Sequence, residues 1–115
     1  AELVFADNVA EATTLGELGM PPEIIMRHRI PHFGHVFTGE SYAAGYYGYL
    51  WAQVLDNDAY AAFTETGNPF DAATAQRYFD NVLSVGNTRD PAEAYRAFRG
   101  RDATPDALLR ARGFL

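Results

Sequence analysis

Proline and glycine punctuate this chain at intervals of helical length. Asp90 followed by Pro91 is a strong helix start, because a carboxylate caps the free N–H groups of the first turn and proline fits that turn. Thr104 and Pro105 repeat the pattern, and glycines follow the two predicted helices at positions 100 and 113. No run alternates apolar and polar residues between hairpin turns, so no strand is predicted. These signals predict an all-α fold of about five to six helices around one long tyrosine-bearing helix.

The same signals give bounds for the helices. They are predicted at residues 1–18, from 21 to 29 or 30, 41–66, 71–86, 90–100 and 104–113. Asp71 is predicted as the N-cap of the helix over residues 71–86. The second helix stops there because Pro31 disfavours helical geometry in the residue before it. Residues 32–39 are predicted as a loop or extended stretch, anchored by Phe33, Val36 and Phe37. The longest helix is expected to kink near residues 56–58, where Asp56 and Asp58 would cap or punctuate the helix.

The composition limits the partners that the chain can take. Its 115 residues suffice for one modest domain, residues 1–115, and 48% hydrophobic residues allow a packed core. A formal net charge of −6 disfavours nucleic acid and anionic membranes as partners. The arginines between residues 96 and 112 are explained by solvated faces and by ion pairs with Asp or Glu. Cysteine is absent, and the apolar runs are too short to span a bilayer. No signal segment opens the chain. A cytoplasmic protein is therefore expected.

Residues 39–51 (GESYAAGYYGYLW) are dense in tyrosine and glycine. On a helix of about 3.6 residues per turn, Tyr42, Tyr46 and Tyr49 fall on one stripe. Gly45 and Gly48 flank that stripe, and each costs ~1 kcal/mol relative to alanine in a helix interior. A single tyrosine here is best explained as a core-boundary residue with its hydroxyl in water. The aligned row equally fits a ligand-facing surface, whose phenols can donate hydrogen bonds to peptide carbonyls or to an oxyanion.

Three histidines precede the tyrosines. The spacing of His28 and His32 would suit a metal on a continuous helix, but Pro31 should break that helix. No glutamate follows either residue as in a His-Glu-x-x-His zinc motif. We therefore interpret both as structural or surface residues, and we predict no metal ligand in this chain. His35 differs, since it lies on the segment that leads into the tyrosines, where a donor to a substrate carbonyl could be placed.

Several runs of the chain resemble one family of enzymes. They are MRHRIPHFGHVF at residues 26–37, YAAGYYGYLW at 42–51, LSVGNTRDP at 83–91, FRGR at 98–101 and ALLRARG at 107–113. Together they are similar to the C-terminal part of zinc metallopeptidases of the peptidyl-dipeptidase Dcp and thimet oligopeptidase type. The resemblance covers nearly the whole chain, and it is clearest from Pro21 onwards and weakest before Gly19.

The resemblance implies roles for four side chains. His35 resembles the family histidine that contacts the substrate backbone, and Tyr46 resembles a further substrate-side tyrosine. Tyr42 and Tyr49 resemble the tyrosines that contact the substrate or the tetrahedral intermediate, which makes them the candidate catalytic residues. The family's zinc helix, its general-base glutamate and its third zinc ligand lie upstream of this part and are absent from the 115 residues.

This departure implies that the chain is a half-site of a zinc-dependent parent enzyme. We expect the isolated polypeptide to bind no zinc and to show no peptidase activity, because polarising a carbonyl and activating water require the metal and the base. The expected partners are short peptide substrates and the missing N-terminal catalytic part. Surface that this part would cover favours a homo-oligomer of the isolated fragment.

The leading interpretation is the C-terminal segment of a zinc-dependent peptidyl-dipeptidase, which removes dipeptides from the C-termini of short peptides. Two alternatives stay open. One is a segment of a thimet oligopeptidase-like endopeptidase, and the other is a non-enzymatic helical module that binds a peptide or another chain along the tyrosine row. The residues that set the dipeptidase preference are expected upstream.

Overall fold

The computed structural model describes residues 2–115, with side chains from residue 9 onward. The described residues form six α-helices, one 3₁₀-helix and one π-helix, without a strand, which confirms the predicted all-α class. They make two compact units, one up to Tyr46 and one over Tyr47–Leu115. The assignment of residues 1–115 to a single domain stays a prediction.

The first unit begins with α1 (Glu2–Glu17). This agrees with the helix predicted over residues 1–18, whose first residue, Ala1, lies outside the described residues. The helix is closed by Gly19 at a φ of 77°, and the N–H of Met20 donates to the carbonyl of Leu15 at 2.8 Å. This is the six-to-one hydrogen bond of a Schellman motif, and it needs a residue at position 19 that tolerates a positive φ.

The helix predicted from Pro21 to Arg29 or Ile30 is wrong. The segment contains one hydrogen-bonded turn, in which the N–H of Ile24 donates to the carbonyl of Pro21 at 3.0 Å. A helix of so few residues nucleates poorly unless an apolar face packs against a neighbour. Ile25 is 82% exposed, so that packing is missing here.

The loop predicted over residues 32–39 is wrong in part. A 3₁₀-helix spans Ile30–His32, and α2 spans Gly34–Phe37. Pro31 lies in the first turn of the 3₁₀-helix, where its missing N–H costs no intrahelical hydrogen bond. Phe33 joins the two helices, because its N–H closes the first and its carbonyl accepts hydrogen bonds from the second.

The tyrosine segment departs most from its prediction. Residues 41–47 form consecutive turns, and α3 spans Gly48–Thr64 rather than 41–66. The N–H of Ala43 donates to the carbonyl of Glu40 at 3.4 Å, and that of Gly45 to Tyr42 at 3.2 Å. These bonds link residues three apart, whereas an α-helix links residues four apart.

The three tyrosines do not share one helix. Tyr42 and Tyr46 lie in the turns and Tyr49 lies in the first turn of α3, so the continuous helix predicted through all three is wrong. Glycines at 39, 45 and 48 explain the difference, since each weakens a helix by about 1 kcal/mol relative to alanine. No side-chain hydrogen bond caps the start of α3.

The second unit is built on α3, which runs without interruption through residues 56–58. The kink predicted there is wrong. The capping role predicted for Asp56 and Asp58 is wrong as well, because both lie in the interior of the helix. Asp58 is buried, and the partners that stabilise it come from the segment around Gly100.

Two other predicted capping carboxylates are confirmed. Asp71 accepts a hydrogen bond from a backbone N–H at 2.7 Å at the start of α4 (Ala72–Tyr78). Asp90 accepts two at 3.0 Å at the start of α5 (Pro91–Arg99). A π-helix over Phe79–Leu83 follows α4 and stops short of the end predicted at residue 86.

The last helix, α6, spans Asp106–Ala111 and starts without a side-chain cap, so the cap predicted at Thr104 is wrong. The predicted stops at Gly100 and Gly113 are confirmed, with φ angles of 80° and 75°. The longest helix of this unit, α3, has 17 residues. Within the described part of the chain, no helix combines the length and apolar character needed to cross a membrane.

The core of the second unit lies between α3, the π-helix and α5. Ala59, Ala62 and Phe98 are buried at its centre. The partly buried side chains that pack against them are Phe63, Tyr78, Val82 and Tyr95. This packing fixes α5 against α3, and with it the loop that follows α5.

Candidate functional site

Five aromatic rings come together in the first unit, and we call them the ring cluster. The ring of His35 lies 5.6 Å from that of Tyr42 and 5.7 Å from that of Tyr46, measured between centroids. The two tyrosine rings lie 6.5 Å apart at 77° to each other. Phe33 meets the Tyr46 ring edge to face at 4.6 Å and stacks on His28 at 5.6 Å. The structure thus brings together three of the four predicted site residues.

Short local structures build the ring cluster. His35 is carried by α2, whose backbone is held by a hydrogen bond from the N–H of Thr38 to the carbonyl of Gly34 at 2.9 Å. The turns after α2 fold tightly, and a Cβ atom added at Gly45 would lie only 3.3 Å from the carbonyl oxygen of Ser41. A residue with a Cβ atom at position 45 would therefore require the Ser41 carbonyl to shift by a few tenths of an ångström.

The predicted site residues are accessible. Tyr42, Tyr46 and Tyr49 keep 38%, 40% and 46% of their surface exposed, and His35 is exposed as well. Phenol O–H and imidazole N–H groups in such positions can donate hydrogen bonds to the carbonyl oxygens of a peptide. Tyr49 belongs to the second unit, as the second residue of α3. The catalytic role of Tyr42 and Tyr49 and the substrate-binding role of all four residues stay predictions.

The described residues do not offer a donor set for zinc. Among the side chains that the structure describes, from residue 9 onward, no group of three or more His, Asp or Glu is placed to hold a metal ion. His28 stacks on Phe33, and His32 ends the 3₁₀-helix. Because the family resemblance implies zinc ligands that these residues do not supply, we assign no step through zinc to this chain.

A buried carboxylate organises the second unit. Asp58 is only 1% exposed, yet it lies in the middle of α3. Its Oδ1 accepts a hydrogen bond from Nη2 of Arg101 at 2.6 Å, and its Oδ2 accepts one from the Tyr95 hydroxyl at 2.6 Å. Nε of Arg99 lies 3.3 Å from the same Oδ2. We call Asp58, Tyr95, Arg99 and Arg101 the Asp58 network.

The Asp58 network continues to the surface through one more carboxylate. The two terminal nitrogens of Arg99 donate to Glu65 at 2.8 and 2.5 Å, which makes a bidentate pair. The predicted explanation of the arginines as ion-pair partners of Asp or Glu is therefore confirmed for Arg99 and Arg101. It is confirmed also for Arg96, which pairs with Asp102 at 2.8 Å on the surface.

The electrostatics of the Asp58 network are those of an ionised carboxylate. Burial alone would raise the pKa of Asp58, but hydrogen bonds from Arg101 and Tyr95 and the charges of Arg99 and Arg101 outweigh it and lower the pKa. Burial and the hydrogen bond to Asp58 raise the pKa of the Tyr95 hydroxyl, which keeps it a proton donor to the carboxylate. The hydrogen bond from Arg99 lowers the pKa of Glu65.

The sequence held a signal for this network that its interpretation missed. Asp58 lies three residues after Leu55 and four before Ala62, so it shares the apolar side of α3. A carboxylate on an apolar stripe must find cationic or hydroxyl partners, because a buried charge without them is costly. Arg99 and Arg101, on either side of Gly100, are the cationic partners of this carboxylate.

The second unit also carries an apolar groove of about 660 Å³. It lies among α3, the π-helix and α5, and its apolar lining includes Trp51, Leu55, Val82 and Val85. Trp51 is itself exposed. Among the lining residues, the charged ones are Asp56 and Asp102. A groove of this kind can take an apolar side chain or a short helix.

Comparison with known proteins gives consistent relatives. Residues 6–114 match the model of peptidase family M3. Oligopeptidase A of Haemophilus influenzae is 48% identical over 88 residues, which cover 76% of this chain and 13% of that protein. Dipeptidyl carboxypeptidase of Salmonella typhimurium is 41% identical over 113 residues, or 98% of this chain and 16% of that protein. Saccharolysin of Saccharomyces cerevisiae is 40% identical over 82 residues, or 70% of this chain and 11% of that protein.

The aligned part is a small share of each relative. The chain spans between 11% and 16% of the length of these three proteins. No solved structure matches the chain significantly. The family match extends over both compact units and includes every residue of the ring cluster and of the Asp58 network. The chain belongs to peptidase family M3.

Proposed function

We propose that this chain is the C-terminal, substrate-binding segment of a zinc-dependent peptidyl-dipeptidase that hydrolyses short peptides. Membership of family M3 supports a peptidase as the parent protein. The observation that carries the proposal for this segment is the ring cluster. It groups the donor-bearing rings of His35, Tyr42 and Tyr46, with centroids 5.6 to 6.5 Å apart and both tyrosines more than a third exposed.

In the proposed enzyme the segment supplies contacts and no zinc ligand. Tyr42 and Tyr49 would donate O–H hydrogen bonds to the substrate carbonyl oxygen as it becomes an oxyanion. His35 and Tyr46 would hold the peptide backbone of the substrate. Such donors lower the barrier only if they are fixed where the charge develops. The zinc and the catalytic base would come from the N-terminal part of the parent, so the isolated chain would be inactive.

The preference for removing dipeptides is supported by the relative named dipeptidyl carboxypeptidase, which aligns over 98% of this chain. The endopeptidase alternative is supported by the higher identity, 48%, to an oligopeptidase A. The two activities treat the free C-terminus of a peptide differently. A dipeptidase of this kind needs that carboxylate, whereas an endopeptidase does not.

The deciding experiment offers the proposed parent enzyme a series of peptides of five to ten residues with a free or an amidated C-terminus. We expect the free peptides to lose their last two residues, as seen by mass spectrometry, and the amidated ones to be cut more slowly. Equal cleavage of both series at internal bonds would favour the oligopeptidase alternative. Absence of cleavage in every peptide, with zinc bound, would overturn the enzymatic proposal.

The proposed surroundings follow from the same assignment. The partners would be peptide substrates and the N-terminal part of the parent, and the isolated chain would self-associate through surface that this part covers.

We propose a cytoplasmic location as well. One relative from Arabidopsis thaliana is named probable cytosolic oligopeptidase A, but a second, equally identical at 43%, is named organellar. Fluorescent tagging of the parent protein in its own cell would decide between these locations.

A non-enzymatic role as a peptide-binding module has one observation in its favour, the apolar groove of the second unit. If that role were the correct one, the 115-residue chain alone would bind apolar peptides. Titration of peptides against the chain, followed by the fluorescence of Trp51 in the groove, would detect this. Saturable binding by the chain, together with an inactive parent, would replace the enzymatic proposal.

A further inference from the structure

Phe33 contacts three of the other four rings of the ring cluster. Its ring stacks on His28 at 5.6 Å and 23°, meets Tyr46 edge to face at 4.6 Å and 77°, and lies 6.3 Å from His35 at 55°. It is the one member of the cluster whose ring carries no polar atom. It is also partly buried, whereas His35 and Tyr46 are exposed. The polar rings of His28, His35 and Tyr46 therefore each contact the apolar ring of Phe33.

The backbone of Phe33 takes part in three hydrogen bonds. Its N–H donates to the carbonyl of Ile30 at 3.1 Å. Its own carbonyl accepts hydrogen bonds from Val36 at 3.0 Å and from Phe37 at 3.2 Å. Phe33 is thus the C-cap of the 3₁₀-helix and the N-cap of α2 at once. These three hydrogen bonds restrain the backbone of Phe33, and with it the position of the ring that the other rings contact.

Aromatic pairs of this geometry restrict ring orientation. Edge-to-face contacts at about 4.5–7 Å are favourable because the positive ring edge meets the negative ring face. The Tyr46 ring lies in that range from three rings at once, those of Phe33, His35 and Tyr42. Of these three, Phe33 is closest to the Tyr46 ring, at 4.6 Å.

We propose that Phe33 is a positioning residue, which holds the rings of His35 and Tyr46 in the orientation needed to contact a peptide. The ring placement stands on the contacts alone, and its catalytic consequence rests on the proposed function. A side chain of similar bulk without a ring would keep the segment folded but would release the two polar rings. A side chain that keeps the ring would preserve their orientation.

The first test uses the 115-residue chain and needs no activity. Phe33→Leu removes the ring, Phe33→Tyr keeps it, and Phe37→Leu removes an exposed ring of α2 outside the cluster. By nuclear magnetic resonance, we expect Phe33→Leu alone to weaken the nuclear Overhauser effects between the ring protons of Tyr46 and His35, which report the distance between these two rings. Unchanged nuclear Overhauser effects in Phe33→Leu, or an equal loss in Phe37→Leu, would overturn the proposal.

The second test uses the proposed parent enzyme. Loss of about tenfold in kcat/KM is expected for Phe33→Leu, with Phe33→Tyr close to the unmodified enzyme and with melting temperatures that stay alike. If Phe33 had only a structural role, Phe33→Leu would lower the melting temperature together with kcat/KM. In that case kcat/KM would not depend on whether the substituted side chain keeps the ring, as it does in Phe33→Tyr. If Tyr46→Phe is fully active, the substrate-binding role proposed for Tyr46 has failed, and the spectra of the first test still decide whether Phe33 positions the rings.

Discussion

Asp58 has almost no contact with solvent and accepts hydrogen bonds from three side chains, those of Tyr95, Arg99 and Arg101. Removing one partner of a buried ion pair leaves the others desolvated and unpaired, which costs about 3–5 kcal/mol. We therefore expect Asp58→Asn to lower the free energy of unfolding by about 3 kcal/mol in urea denaturation. Asp56→Asn, in the same helix but exposed, is the matched control and should change it by less than about 0.5 kcal/mol. Equal stability of the two variants would show that the Asp58 network stabilises nothing.

The same carboxylate gives the chain an acid sensitivity of known sign. Because the folded pKa of Asp58 is lowered from an ordinary value of 3.8, its ionised form stabilises the fold above that value. This contribution is lost as the pH falls through the folded pKa. We expect the difference in unfolding free energy between the natural chain and Asp58→Asn to be constant above roughly pH 5 and to shrink below roughly pH 4. A difference that grows on acidification would contradict the assignment.

The tyrosines of the proposed site can be tested one hydroxyl at a time in the parent enzyme. Tyr42→Phe and Tyr49→Phe keep the ring and remove the donor, and the loss of one oxyanion donor costs about 100-fold or more in kcat. We expect a fall of that order for at least one of them, with a smaller change in KM. Tyr60→Phe, an exposed tyrosine of α3, should leave both constants unchanged. Full activity in Tyr42→Phe and Tyr49→Phe alike would remove them from the catalytic assignment.

Among the elements, the junction after α5 matters most, because it directs two arginines to one carboxylate. Gly100 takes a φ of 80°, which reverses the chain between Arg99 and Arg101. An alanine in that conformation costs about 1–2 kcal/mol. We expect Gly100→Ala to lower the free energy of unfolding by this amount in thermal denaturation. Gly48→Ala, at a helical position with open space around it and no positive φ, is the control and should not destabilise the fold.

The elements also show which parts of the fold the sequence could predict. The caps at Asp71 and Asp90 and the stop at Gly100 were predictable, because each depends on a side chain or a φ angle within one turn. The turns at residues 41–47 were not predictable in this way. The tyrosines there have helical spacing, which indicates a helix, whereas the glycines among them weaken a helix. The burial of Asp58 was not predicted for a different reason. Its partners Arg99 and Arg101 lie 41 and 43 residues further along the chain.

The candidate site was predictable to the same degree. Sequence resemblance selected His35, Tyr42 and Tyr46, and the structure places their rings together. The continuous helix predicted to align Tyr42, Tyr46 and Tyr49 was wrong, because α3 begins at Gly48. Turns and a short α2 bring the rings together instead, with Phe33 between them. Residue types can thus indicate a site whose local backbone they do not specify.

The molecule as a whole is a family M3 chain that spans 13% of an oligopeptidase A. Large apolar side chains are exposed on both compact units, among them Ile25 of the first and Trp51 of the second. Apolar surface of this kind marks places where a protein meets another part or partner. This exposure supports the proposal that the chain is one segment of a larger peptidase.

We accordingly expect the isolated 115-residue chain to cleave no peptide and to retain no stoichiometric zinc. Hydrolysis of a quenched fluorescent peptide, followed with and without added zinc, measures the first, and elemental analysis after dialysis measures the second. The parent enzyme under the same conditions is the positive control. Adding the separately produced N-terminal part should restore cleavage, because the two parts together would complete the site, and Tyr49→Phe in the chain should weaken the restored activity. Zinc-dependent cleavage by the chain alone would show that its own residues form a complete active site, and the proposal of a divided one would then fall.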